Sequence, residues 1–210
     1  MKIIFTAIAV VFSLCVFVWL RHTENFNILF DSNLPAGQRF YLVSKLLALL
    51  AIASLVAQLM LMLASRYASV SWLSSWTALS HQWLGLSTFV LIGAHGATFL
   101  AAASLRAGSP VFSLLLPNFH TGLYNAAVSL GVVAFYLSIL LIILGVLSQR
   151  KRSTFGRYHW WILWPLMACV LIHSIAIGSE SKTWPMILFY GASVVVIGWL
   201  IVRRRQFKKG

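Results

Sequence analysis

Four histidines lie within apolar stretches of this chain and repeat at one spacing. His81 and His95 are 14 positions apart, and so are His159 and His173. An imidazole can ligate a metal ion, pass protons or hydrogen-bond a neighbouring helix. A single histidine of this kind is most simply explained by packing, whereas two equally spaced pairs favour a shared chemical role. Which role applies depends on the elements that carry the pairs.

The composition predicts those elements. Of 210 residues, 60% are hydrophobic and 9% are charged, whereas a soluble domain carries about 25% charged residues. Six segments free of Asp, Glu, Lys and Arg can each hold the roughly 20 residues of a spanning helix. Backbone groups in lipid must be satisfied within their own segment, and the period-2 alternation of barrel strands is missing. The sequence therefore predicts an all-α polytopic membrane bundle of six transmembrane helices, near residues 3–20, 41–64, 81–104, 123–147, 158–178 and 184–202.

Two features of this pattern set the domain limits. The two longest charge-free gaps contain polar turns, Ser71–Ser80 and Ala107–Thr121. The first apolar run follows Lys2 but ends at Trp19–His22 without a small-residue cleavage site, so we expect it to be a retained span rather than a signal peptide. We expect residues 1–210 to form a single integral membrane domain.

Positive and negative residues fall largely on opposite sides of the predicted membrane. The net charge is +13, which in a soluble protein would suggest nucleic acid. Here 11 of the 16 cations fall on the side of both termini: Lys2, Arg66, Arg150, Lys151, Arg152, Arg157, Arg203, Arg204, Arg205, Lys208 and Lys209. All three acids, Glu24, Asp31 and Glu180, fall on the other side. The positive-inside rule predicts cytoplasmic termini and the lipid bilayer, not nucleic acid, as the partner.

This topology aligns the histidines in depth. Fourteen helical residues return to within about 40° of the starting direction and rise by about 21 Å, so each pair lies on one helix face. The third and fifth spans both run from inside to outside. His81 is therefore level with His159 near the cytoplasmic boundary, and His95 is level with His173 near the outer one.

Two facing imidazoles at each of two depths suit haem iron, which needs two axial ligands. Zinc usually takes three or four protein ligands, and each level supplies only two. A proton relay uses histidines but does not require matched spacing. The pattern favours two haems held between helices. The alternatives are a haem-free transporter or channel subunit that uses the histidines for proton handling, and a membrane scaffold.

Neighbouring residues are open to two interpretations. Gly85, Gly93 and Gly96 either admit a flat macrocycle or reflect close helix packing. Arg157 beside the inner level and Arg106 beyond the outer level are candidates to pair with haem propionates, although Arg157 is explained more simply by topology.

The other two histidines and the two cysteines are explained most simply without a chemical role. His22 and His120 are expected at the surface, with a role near an outer acceptor as the alternative. Cys15 and Cys169 lie within spans and are expected to be packing residues rather than a disulfide or a metal pair.

The chain resembles the ferric reductase-like transmembrane domain over about residues 40–202. That superfamily includes ferric-chelate reductases, NADPH oxidase cores and the haem membrane subunit of bacterial methionine sulfoxide reductase systems. The stretch from Ser80 to His95 is similar to the family's third helix, and its first part, Ser80–Leu86, contains the H-x-W-L-G motif. The stretch from Arg157 through His159 to His173 is similar to the family's fifth helix. The resemblance implies two haem b groups ligated by His81, His95, His159 and His173. The family's second pair is often 13 apart, whereas here it is 14.

The resemblance also implies partners. Ferric reductases and NADPH oxidases continue into a flavin and nicotinamide domain, but no Gly-rich loop opens a βαβ unit in this sequence. We therefore expect electrons from a separate flavoprotein reductase or from quinol, and an acceptor on the outer face. The chain would be the electron-transfer subunit of an oxidoreductase. Its compact form favours the inner (plasma) membrane of a bacterium.

Overall fold

The structure, a computed structural model, describes residues 2–23, 26–67, 78–120, 122–150 and 154–207. These residues form six α-helices and no strand, which confirms the all-α class. The helices are α1 (Lys2–His22), α2 (Gln38–Tyr67), α3 (Ala78–Ala107), α4 (Leu123–Arg150), α5 (Thr154–Ile177) and α6 (Trp184–Phe207). Short 3-10 turns occupy Phe26–Phe30, Phe112–Leu115 and Glu180–Lys182.

Each predicted span falls on one helix, with ends that differ by at most five residues. The helices continue past the apolar run until a turn residue stops them. For example, α3 continues through Arg106 and ends before Gly108, whose φ of 67° suits the residue that follows a helix.

Four helices are long and apolar enough to cross a membrane, over Gln38–Leu63, Ser80–Ala107, Leu123–Ser148 and Phe155–Ile177. In α1 and α6 the described apolar stretches are shorter, Ile8–His22 and Trp184–Trp199. The predicted turn at Ser71–Ser80 falls mainly on residues 68–77, and the basic clusters fall partly on 151–153 and 208–210, which lie outside the described residues. The helices therefore indicate a membrane protein. The number of six spans and the cytoplasmic location of both termini stay predictions.

Helix α2 lies at the centre of the bundle. It packs against α1, α3 and α6, and half of its apolar stretch is buried, compared with 11% for α3 and for α4. Hydrogen bonds fix its contact with α1, because the Trp19 indole donates to the Leu42 carbonyl at 2.8 Å and the Cys15 thiol to the Leu49 carbonyl at 3.6 Å. This central helix is the support against which α3 is positioned.

The most extensive contacts join α2 to α3 and α4 to α5, whereas α3 and α4 contact each other little. At the start of α2, Gly37 has a φ of 77°, and a Cβ there would collide with the carbonyl of Ala102 on α3. The fold thus contains two tightly packed helix pairs. The histidines lie on one helix of each pair, α3 and α5.

Candidate cofactor site: two histidine pairs

The structure brings the four apolar-segment histidines together in two pairs. The ring centres of His81 and His159 are 6.3 Å apart with planes at 71°, and those of His95 and His173 are 6.3 Å apart with planes at 67°. We call the first pair the inner level and the second the outer level, after the predicted orientation. Equal spacing on α3 and α5 therefore produces two levels of nearly identical geometry.

Backbone carbonyls fix the tautomer of three of these rings. Nδ1 lies 2.9 Å from the Ser44 carbonyl in His95, 2.9 Å from the Leu141 carbonyl in His159 and 2.8 Å from the Ala127 carbonyl in His173. A carbonyl oxygen only accepts, so Nδ1 must carry the proton in each neutral ring. Nε2 then presents a lone pair, which is the form in which histidine binds a metal ion.

His81 contacts a side chain of α2. The side-chain amide of Gln58 on α2 donates to the His81 carbonyl at 3.0 Å, and its nitrogen lies 3.3 Å from Nδ1 of the same residue. The side chain of Gln58 therefore contributes to the position of this residue from α2.

The partners of the histidines repeat at the same period as the histidines themselves. On α2, Ser44 and Gln58 are 14 residues apart, and Ser44 Oγ lies 2.9 Å from Nδ1 of His95. On α4, Gly131 and Gly145 are also 14 apart. All four helices are consequently in register at both levels.

The α4 glycines provide space for the α5 rings. A Cβ on Gly131 would lie 2.6 Å from the His173 ring, closer than side-chain atoms tolerate. A Cβ on Gly145 would lie 3.5 Å from the His159 ring, an ordinary contact. Gly131 is therefore required for the outer level as built, whereas Gly145 is not.

The space between the levels is packed. Thr88, midway between the two histidines of α3, is buried and its hydroxyl lies 2.6 Å from that of Ser54 on α2. Phe89 of α3 stacks on Phe135 of α4, with ring centres 6.3 Å apart and planes at 8°. These contacts tie α3 to both neighbours and keep its two histidines at fixed depths.

The glycines of α3 have separate roles. A Cβ on Gly85 would lie 2.9 Å from the amide nitrogen of Gln58, so Gly85 makes room for that side chain and the packing interpretation applies. A Cβ on Gly93 or Gly96 would meet no atom within 4 Å. Of the three α3 glycines, only Gly93 and Gly96 have open space beside them.

The two arginines proposed for propionates lie at opposite ends. Arg106 hydrogen-bonds the Gln38 side chain, and its guanidinium carbon lies 4.7 Å from the centre of the Tyr41 ring. Arg157 is exposed, two residues before His159. The propionate role stays a prediction for both.

The remaining candidates lie apart from the pairs. His22 and His120 are exposed, as predicted. Cys15 and Cys169 are free thiols, buried and half-buried respectively, in agreement with a packing role. Within the described residues, no group of three or more His, Cys, Asp and Glu side chains could hold a metal ion.

Sequence reasoning missed a polar cluster behind the outer level. Glu180, only 2% exposed, pairs with Lys45, the neighbour of Ser44 in α2. Beside it the hydroxyls of Ser174, Ser181 and Tyr190 are mutually hydrogen-bonded at 2.6 to 3.1 Å. Spacing alone does not reveal it, although Glu180 is one of only three acids in the chain.

This polar cluster joins the connection between α5 and α6 to the central helix. Lys45 follows Ser44, which contacts His95, and Ser174 follows His173, so the cluster borders both outer-level helices. A buried ion pair is costly to break because it leaves an uncompensated charge. The cluster therefore fixes the outer ends of α2 and α5 relative to each other.

Comparisons of the chain with protein-family models, with curated proteins and with solved structures found no match.

Proposed function

We propose that this chain is a di-haem b electron-transfer protein of the membrane, with one haem between His81 and His159 and another between His95 and His173. The observation that carries the proposal is the pair of histidine levels, each with ring centres 6.3 Å apart. Three of the four rings are also held in the tautomer that leaves Nε2 open to a metal ion.

The residues present fit the group. A metal–imidazole bond of about 2.0 Å and a ring radius of about 1.2 Å, taken twice, span about 6.4 Å, close to the observed separation at both levels. Two ligands complete the coordination of haem iron, whereas a structural zinc site uses four protein ligands. The pairs are therefore better suited to haem than to a bare ion.

The protein's task is to hold and separate the two levels. Backbone carbonyls orient the imidazoles and raise their basicity, and the spacing on α3 keeps the levels about 21 Å apart along the helix. When bound, haem supplies one-electron redox chemistry at each level. Within a bilayer, the apolar helices that carry the pairs would exclude water from both sites.

The direction of transfer follows from the predicted topology, and the partners follow from the resemblance to the ferric reductase-like domain. With six spans and cytoplasmic termini, electrons would enter from a separate flavoprotein reductase or from quinol and leave to an acceptor on the outer face. The chain would then act as an oxidoreductase subunit in a bacterial plasma membrane. The resemblance to the ferric reductase-like domain supports this assignment.

The test is a reduced-minus-oxidised visible spectrum of the detergent-purified protein, with haem counted per chain. We expect a b-type spectrum and about two haems per chain, because each level offers a complete ligand pair. A protein that is colourless and takes up no added haem would contradict the proposal.

A haem-free transporter or channel subunit is the second candidate. The buried polar cluster around Glu180 and Tyr190 favours it, because ionisable groups inside a membrane protein often mark proton or ion pathways. This candidate predicts the colourless protein, so the same spectrum separates the two.

A further inference from the structure

The segment that joins α3 to α4 has an unusual composition for a connection between helices. No Asp, Glu, Lys or Arg occurs from Ala107 to Gln149. Within residues 108–120 four large apolar side chains are exposed: Phe112 at 66%, Leu115 at 42%, Leu116 at 69% and Phe119 at 50%. A patch of this kind on a water-facing loop is rare and marks a contact surface.

The segment is attached to α4 well inside its apolar stretch. The amide of Asn118 donates to Ser129 Oγ at 2.6 Å, and the Tyr136 hydroxyl donates to the Leu115 carbonyl at 2.9 Å. Ser129 and Tyr136 lie about 9 and 20 Å along the helix from Leu123, at 1.5 Å per residue. Both attachment points belong to the stretch Leu123–Ser148, which is long and apolar enough to span a membrane.

These attachments bring the segment to the depth of the outer level. Gly131, against which the His173 ring packs, lies between Ser129 and Tyr136 on α4. The connection therefore folds back along α4 instead of extending away from the end of the bundle.

Several backbone amides of the segment have hydrogen-bond partners within the protein. The amides of Leu114 and Leu116 donate to carbonyls within the segment at 3.0 Å, and that of Val111 donates to Ser104 Oγ at 3.3 Å. Pro110 and Pro117 carry no amide hydrogen to satisfy. At membrane depth, each polar group of an irregular backbone needs a partner within the protein.

We propose that residues 108–120 form a lipid-facing surface, inserted among the acyl chains of the leaflet at the end of the bundle where α3 ends and α4 begins. The exposed Phe and Leu side chains continue the apolar surface of α4. The bilayer, rather than a soluble protein, is the partner that fits, because the attachment points lie inside an apolar membrane stretch and the segment carries no charge. This inference does not depend on haem.

Spin labels on the full chain in vesicles of phosphatidylcholine and phosphatidylglycerol test it. Cys15→Ala and Cys169→Ala remove the native thiols, and single cysteines are then placed by Leu116→Cys, by Leu140→Cys as the lipid-facing control on α4 and by Ser32→Cys, in the exposed connection between α1 and α2, as the water-facing control. Collision rates are measured with oxygen, which concentrates in the bilayer, and with a water-soluble nickel chelate.

We expect the label at position 116 to match position 140, with an oxygen-to-nickel collision ratio several-fold above that at position 32. A ratio equal to that at position 32 would overturn the inference in favour of a water-facing surface. Protection from both reagents would overturn it in favour of a protein partner or a second copy. If the Leu116→Cys protein does not fold, Phe112→Cys serves the same comparison.

Discussion

At the outer level a Cβ on Gly131 of α4 would lie 2.6 Å from the His173 ring, whereas at the inner level a Cβ on Gly145 would lie at an ordinary 3.5 Å from the His159 ring. The outer level also borders the polar cluster around Glu180 and requires Gly131 beside His173. One helix register has thus produced two sites of equal ring spacing with different supports. The difference shows that the helices set the spacing between the rings, while the residues packed against each pair determine how stably that pair is held.

The largest expected effect is the loss of a whole haem. His95→Ala or His173→Ala should remove the outer haem, and His81→Ala or His159→Ala the inner one, because within the described part of the chain no third His, Cys, Asp or Glu side chain joins either pair. Haem per chain should fall from two to one in every single variant. The double variant at one level should fall no further, and His120→Ala, at an exposed residue, should keep both haems. Unchanged haem content in all four single variants would refute the ligand assignment.

Next in size is a contrast between two glycines of α4. Gly131→Ala places a Cβ 2.6 Å from the His173 ring and should displace that ring, with partial or complete loss of the outer haem. Gly145→Ala gives a 3.5 Å contact and should leave the inner haem in place. The measurement is haem content after purification at matched protein yield. Equal effects of the two variants would show that α4 adjusts freely and that the contrast between the levels is not real.

The polar cluster provides a third, smaller contrast. Glu180→Gln leaves Lys45, which is 18% exposed, without its counter-charge and should destabilise the outer ends of α2 and α5 by about 1–3 kcal/mol. On heating, we expect the outer haem to be released before the inner one in this variant. Asp31→Asn is the control, since Asp31 is exposed and should change nothing. Release of both haems together at the wild-type temperature would mean that the cluster does not support the outer level.

The smallest effect concerns the α2 side chains. Gln58→Leu removes the side chain that holds His81, whereas Ser44→Ala leaves the Ser44 carbonyl still facing Nδ1 of His95. Ser44→Ala should cost no more than the roughly 0.5–1.5 kcal/mol of one hydrogen bond. Haem transfer to excess apomyoglobin should therefore be faster from the inner level of Gln58→Leu than from the outer level of Ser44→Ala. The reverse order would contradict the view that the Gln58 side chain supports the inner level more than the Ser44 side chain supports the outer one.

The sequence alone is sufficient to predict the helices and the pairing of the histidines. Charge-free runs mark helices because lipid excludes charge and requires internal hydrogen bonds, and all six helices lie where such runs predict them. A period of 14 returns nearly to the same helix face, so the positions of His81 and His95 imply a shared side without any tertiary information.

The supporting residues were not predictable in the same way. Gln58 and Gly131 carry no chemical pattern of their own, and their roles depend on how α2 and α4 rotate against their neighbours. Glu180 looked like an ordinary acid of the outer side, yet it is buried against Lys45, some 135 positions away in the chain. A 14-residue search for small and polar residues in the adjacent spans would have found Ser44 with Gln58 and Gly131 with Gly145.

The most direct test of paired ligation is low-temperature electron paramagnetic resonance of the oxidised, purified wild-type protein. Two histidines on each iron predict two low-spin ferric signals, one removed by His173→Ala and the other by His159→Ala. High-spin signals in the wild-type protein, or no haem signal at all, would contradict the claim that α3 and α5 hold two haems between their histidines.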